Sequence, residues 1–138
     1  MRRLFLDTSY VIALTTPADA YHSRANVLAH ALLSEQARLI TTRAVLLEVG
    51  DALGHFAARS QAIRLLGELE HDPSLQIVPI SDDVYHRAVD LYTARLDKEW
   101  GLTDCVSFVV MQDYSLTEAL TADRHFRQAG FVALMRDD

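Results

Sequence analysis

The sequence predicts an α/β fold: a three-layer α/β/α sandwich around a mostly parallel central sheet of four to five strands. Two observations carry this expectation. Short apolar runs such as Leu4-Phe5-Leu6 and Leu75-Gln76-Ile77-Val78 alternate with segments of about ten to twenty residues whose apolar positions recur at helical spacing. The stretch from Val106 to Met111 is almost continuously apolar, as a helix buried on most sides must be, yet a carboxylate, Asp104, stands in its first turn. Strands joined by helices in this way run parallel with right-handed crossovers, and ligands bind outside the strands' carboxyl ends. With 138 residues, 50% hydrophobic and 23% charged, the chain is read as one domain, residues 1–138, with a single core.

Taken in order, Arg3-Leu4-Phe5-Leu6 is the first strand, and Asp7-Thr8-Ser9 follows where it ends and a helix from Tyr10 to Leu14 begins. Pro17 and Asp19 break that helix. Ala20 to Glu35 then carries an apolar stripe through Ala25, Leu28, Ala29 and Leu32. Arg38 to Thr41 is the second strand, and Thr42 is the expected N-cap of a helix through Val45, Leu46, Val49 and Leu53. Ser60 to Glu70 is helical, Asp72-Pro73-Ser74 is a turn, and Leu75 to Pro79 is the third strand. Ser81-Asp82-Asp83 starts a helix whose stripe of Val84, Ala88, Leu91 and Leu96 reaches Lys98. After the helix that opens near Asp104 come a fourth strand, Glu118 to Thr121, with Asp123 just beyond it, and a last strand, Phe131 to Leu134.

Composition removes several classes. No apolar run approaches the roughly 20 residues of a membrane span, and Met1-Arg2-Arg3 leads into a strand rather than a signal peptide, so a cytoplasmic protein with no membrane partner is expected. The formal charge of −6 argues against strong non-specific nucleic-acid binding through net charge, though not against a local basic rim. Arg24, Arg43, Arg59 and Arg64 are candidates for that rim, with Arg43 the RNA-binding candidate; isolated solvated arginines are the alternative. Cys105 excludes an intrachain disulfide, and no histidine is placed beside it by sequence, so inert packing is expected. The six histidines, His125 among them, show no metal-ligand spacing and are read as surface or helix-face residues, which argues against zinc.

The chemistry resides in carboxylates. Asp7 and Asp123 fall at strand carboxyl ends, Asp104 opens a buried helix, and Glu48 interrupts Val45-Leu46-Leu47-Glu48-Val49, where an ionised group is costly to bury unless it is paired or binds a metal. Each has a structural alternative: Thr103 or Asp104 as a helix cap, and Glu48 on a solvated strip shared with Asp51 and His55. If the four converge, repulsion between charges a few ångströms apart is on the order of several kcal/mol, and the cluster calls for cations. Oxygen ligands without a companion histidine or cysteine suit hard ions, so Mg²⁺ or Mn²⁺ is the expected cofactor and phosphate its natural partner. The matching reaction is metal-assisted hydrolysis.

Asp7-Thr8-Ser9 after an N-terminal strand, Glu48 in the third helix, Leu102-Thr103-Asp104 opening a buried helix and Thr121-Ala122-Asp123 near the end together resemble the PIN-domain nucleases. More narrowly, they resemble the VapC ribonuclease toxins of toxin–antitoxin pairs, over essentially the whole chain. The resemblance implies a divalent-metal site built by Asp7, Glu48, Asp104 and Asp123, with Ser9 and Thr121 as hydroxyls that orient the acids or waters. It implies cleavage of single-stranded or loop RNA and a cognate antitoxin protein as partner, and a homodimer is compatible with it. By the same resemblance Tyr10, Phe56, Leu65 and Leu69 are candidates for a groove that takes an antitoxin helix, with core packing as their default reading. Rival readings are a PIN-like nuclease outside a toxin–antitoxin system, a non-catalytic binding module, and a phosphoryl-transfer domain. The last meets missing motifs: a haloacid-dehalogenase-like phosphatase would have an aspartate where Ser9 stands, and a receiver needs an acidic pair and a late lysine, whereas Lys98 is the only lysine.

Overall fold

The computed structural model describes residues 1–54 and 59–137, and within them a five-stranded, all-parallel sheet in the order β3-β2-β1-β4-β5. The strands are β1 (Arg3–Leu6), β2 (Arg38–Thr42), β3 (Leu75–Val78), β4 (Glu118–Leu120) and β5 (Val132–Ala133). The helices are α1 (Thr8–Thr15), α2 (His22–Ser34), α3 (Arg43–Leu53), α4 (Arg59–His71), α5 (Asp82–Ala94), α6 (Leu102–Asp113) and α7 (Arg124–Gln128). They pack in two sets: α1 against α2 and α3 with α4 beyond, and α5 against α6 with α7 beyond. This is the expected sandwich.

β1 is central, and Leu4, Phe5 and Leu6 are all buried, as they must be in a strand covered on both faces. Phe5 meets Phe126 of α7 at 6.1 Å between ring centroids, and Phe126 meets Phe108 of α6 edge-on at 5.1 Å. Phe108 also packs against Trp100 and Phe131. This aromatic cluster ties α6 and α7 to the strand that leads into Asp7. Cys105 is fully buried beside it, and its thiol is pushed up to about 11 mainly by that burial, so it is inert packing as expected.

The local signals behaved as their chemistry requires. The Thr42 hydroxyl accepts from the Val45 N–H and the Ser81 hydroxyl from the Val84 N–H, so both caps are made. One expectation about the elements needs correction. The helix from Asp82 stops at Ala94 rather than reaching Lys98, because the chain turns at Arg95 to return Trp100 to the core, with the Arg95 guanidinium over its ring. Leu96 is therefore 88% exposed and belongs to no stripe. α7 is an element the sequence pattern does not announce: five residues are too few for a periodicity. Tyr10 is core rather than groove, while Leu65 and Leu69 are half-buried; Phe56 and His55 lie outside the described residues. No helix among the described residues is long and apolar enough to cross a membrane.

Candidate active site

The strand order reverses at β1: the chain moves outward through β2 and β3, then returns to β4 on β1's other side. A crevice opens at such a switch point, beyond the strands' carboxyl ends. The register pairs Phe5 with Ala119 and Leu6 with Leu120, so the next step sets Asp7 beside Thr121. The Asp7 N–H accordingly bonds the Leu120 carbonyl at 3.2 Å, and the Thr121 hydroxyl donates to Asp7 Oδ2 at 2.6 Å. Ser9 Oγ donates to the same oxygen at 3.2 Å and accepts from the Ala122 N–H at 2.9 Å. Thr121 Oγ1 accepts from the Asp123 N–H at 3.0 Å. The two hydroxyls thus lock Asp7 to the loop that carries Asp123.

The other two acids arrive on helices. α3 and α6 approach each other across the end of the sheet and bring Glu48 and Asp104 to the crevice. Asp104 Oδ2 accepts from the Gly101 N–H at 3.0 Å, so it does cap its helix, from the third helical position and not from the cap itself. Capping and facing the crevice are compatible. Glu48 is not enclosed in the apolar run: it stands exposed on the wall of the crevice and accepts from the Thr8 hydroxyl at 2.8 Å. Asp123 caps α7 by accepting from the His125 N–H at 2.9 Å. All four predicted acids line one crevice of about 440 Å³, together with Thr8, Ser9, Asp19 and Tyr21.

Electrostatics here runs against ionisation. Asp7 is almost fully buried, and its carboxyl is pushed up from an ordinary 3.8 to about 6. Loss of water is the main cause; the Thr121 and Thr8 hydrogen bonds oppose it, and the charges of Glu48 and Asp104 add to it. The Glu48 carboxyl is also raised, first by desolvation and then by Asp104, Asp123 and Asp51, against the Thr8 hydroxyl. No lysine or arginine among the described residues lines the crevice. Four carboxylates and a fifth in Asp19, with no lysine or arginine among the described residues of the lining, suit a hard divalent cation, so the donor set fits a metal.

One residue corrects the sequence reading. His125 is not a bland helix-face histidine: its Nδ1 lies 3.0 Å from Asp104 Oδ2 and 3.4 Å from Asp123 Oδ1, and the three residues form a group able to hold an ion. The usable signal was its place two residues after a capping aspartate, which folds it back over that cap. Asp19, read only as a helix breaker, and Tyr21 belong to the crevice wall. The arginines do not: Arg43 is ion-paired with Glu70, Arg24 with Asp137, and Arg59 donates to the Gly54 carbonyl.

Comparison with known proteins agrees with this architecture. The PIN domain family model matches residues 4–132. The 23S rRNA-specific endonuclease VapC20 of Mycobacterium tuberculosis is 30% identical over 134 residues, which cover 94% of this chain and 95% of that protein. The crystal structure of VapC20, described as a sarcin-ricin loop cleaving toxin, superposes with a TM-score of 0.83 at 24% identity over 94% of this chain and 96% of that one. FitAcB from Neisseria gonorrhoeae shares the fold at a TM-score of 0.65 and 20% identity, with 94% of each chain covered. VapBC2 from Rickettsia felis, bound to a promoter DNA fragment, does so at 0.64 and 16% identity over 95% of this chain and 96% of that one. The family-model match over residues 4–132 and the 30% identity to VapC20 over 134 residues place the chain in the PIN-domain family, where it is similar to the VapC ribonuclease toxins.

Proposed function

We propose that the chain is a divalent-metal-dependent endoribonuclease, the toxin of a toxin–antitoxin pair, with Asp7, Glu48, Asp104 and Asp123 as the ligands of Mg²⁺ or Mn²⁺. The observation that carries this reading is the convergence of the four carboxylates on one crevice without a facing lysine or arginine. When bound there, a divalent ion supplies positive charge at the scissile phosphate and makes water acidic enough to attack at neutral pH. The residues' own work is positional. Thr121 and Ser9 hold Asp7 by two hydroxyl donors, the Gly101 N–H holds Asp104, the Thr8 hydroxyl holds Glu48, and the His125 N–H holds Asp123. In the reaction a water oxygen bonds to phosphorus, the bond to one ribose oxygen breaks, and that oxygen leaves as the alcohol after taking a proton. Arg43, for its part, has to exchange Glu70 for a phosphate if it is to hold RNA.

The substrate to try first follows from VapC20: an RNA hairpin with the sequence of the 23S sarcin–ricin loop. Purified protein should cleave it in Mg²⁺ or Mn²⁺ and stop after exhaustive chelation. Cleavage that survives chelation overturns the mechanism. A cognate antitoxin, as in the VapBC and FitAB assemblies that share the fold, should inhibit by covering the crevice, where an inserted guanidinium can replace the metal's charge. A complex that cleaves as fast as the free protein refutes that part.

A further inference from the structure

His125 is the side chain at the site that a four-carboxylate centre does not require. Its Nδ1 stands 3.0 Å from Asp104 Oδ2 and 3.4 Å from Asp123 Oδ1, and the ligand atoms of the three residues all lie within 4.8 Å of one another. Neighbouring ligands in an octahedral shell with bonds of about 2.1 Å are about 3.0 Å apart, and the two separations from Nδ1 are close to that spacing. The ring is also fixed. Its backbone N–H bonds Asp123 Oδ1, its side chain is 20% exposed, and Phe126, the next residue, is fully buried among aromatic rings.

We propose that His125 is a nitrogen ligand of the metal site, closing with Asp104 and Asp123 a face that favours Mn²⁺ over Mg²⁺; this rests on the reading of the acids as a divalent-metal centre. In the metal-free protein a carboxylate can only accept, so Nδ1 carries the hydrogen that it donates to Asp104 Oδ2, with Asp123 Oδ1 at 3.4 Å. Neutral imidazole offers Nδ1 as a lone pair once that hydrogen sits on Nε2, a change of tautomer that needs no movement of the ring. A nitrogen donor strengthens binding of transition ions, whereas Mg²⁺ favours oxygen ligands and keeps its waters. The two aspartates supply charge, which attracts either ion, and His125 supplies the discrimination.

The test is Mn²⁺ titration of the metal-free protein, with free ion read by its EPR signal and bound ion examined for the spin-echo modulation of a directly bonded nitrogen. Mg²⁺ affinity is measured by competition. Wild type should show the nitrogen modulation. His125→Asn should lack it and should bind Mn²⁺ about tenfold more weakly, with Mg²⁺ affinity changed less than about twofold. If Mn²⁺ binds the wild type and is lost in Asp104→Asn, yet no nitrogen modulation is seen, the ligand assignment is overturned while the metal centre stands. Modulation that persists in His125→Asn, or an unchanged ratio of the two affinities, also overturns it. A wild type that binds no Mn²⁺ removes both the centre and the assignment. A wild-type spectrum without nitrogen modulation refutes the assignment by itself, so a variant that fails to fold does not shelter the proposal.

Discussion

Replacing Asp7 with asparagine should stabilise the metal-free protein at neutral pH. A carboxyl moved from 3.8 to about 6 by folding is shifted by about two pH units, or about 3 kcal/mol. The folded state holds a proton that the unfolded chain releases between those values, so stability falls as pH rises from about 4 to about 6 and is level above. At pH 7 the ionised Asp7 therefore costs the metal-free fold about 3 kcal/mol relative to its neutral form. Asparagine keeps an oxygen to accept from Thr121 and Ser9 but carries no charge, at the expense of the Thr8 backbone hydrogen bond. The net expectation in chelator is a gain of about 1–3 kcal/mol at pH 7.5 that disappears near pH 4, read from urea unfolding curves. In Mg²⁺ the gap should narrow, because a ligand at a hundred times its Kd stabilises the wild type by about 2.7 kcal/mol and the variant by less. An Asp7→Asn protein less stable than wild type at pH 7.5 in chelator, yet equally stabilised by metal, would show that the carboxylate serves the fold and not an ion.

Asp104→Asn keeps an acceptor for the Gly101 N–H, so a role in capping alone predicts a cost of at most about 1 kcal/mol and full stabilisation by Mg²⁺. The metal role predicts that melting curves with and without Mg²⁺ draw together, and a full metal shift in the variant excludes it. Thr121→Val removes the donor at 2.6 Å from Asp7 and the acceptor for the Asp123 N–H. It should cost about 1–3 kcal/mol and move the Asp7 titration, followed by carboxyl NMR, further up; a titration that stays put contradicts the hydrogen bond's role. Phe108→Ala opens the centre of the aromatic cluster and should cost about 3–5 kcal/mol in urea unfolding, with a loss under about 1 kcal/mol arguing against that packing.

The architecture was legible because its signals are local and repeated. The Leu4-Phe5-Leu6 run, the Thr42 and Ser81 caps and the helical stripes each follow from one segment's own chemistry. The site was legible in part for the same reason, since Asp7 and Asp123 sit at strand ends that any parallel sheet brings to one edge. What sequence alone obscured is tertiary. Glu48 looked buried by its neighbours Leu47 and Val49, yet Val49 points into the core while Leu47 is 63% exposed, and Glu48 stays on the open side of α3. The two readings of Asp104 looked exclusive, but one oxygen can cap Gly101 while the group faces a crevice. His125 lies on a helix too short to print a pattern, and its partner Asp104 is 21 residues away in sequence.

The proposed site requires that its four carboxylates act together in RNA cleavage. The most direct measurement is the cleavage rate of the sarcin–ricin hairpin in Mn²⁺ by Asp7→Asn, Glu48→Gln, Asp104→Asn and Asp123→Asn beside the wild type, each variant first shown to be folded. Every one of the four should lose about a hundredfold or more. Folded variants that cleave at the wild-type rate would contradict that requirement.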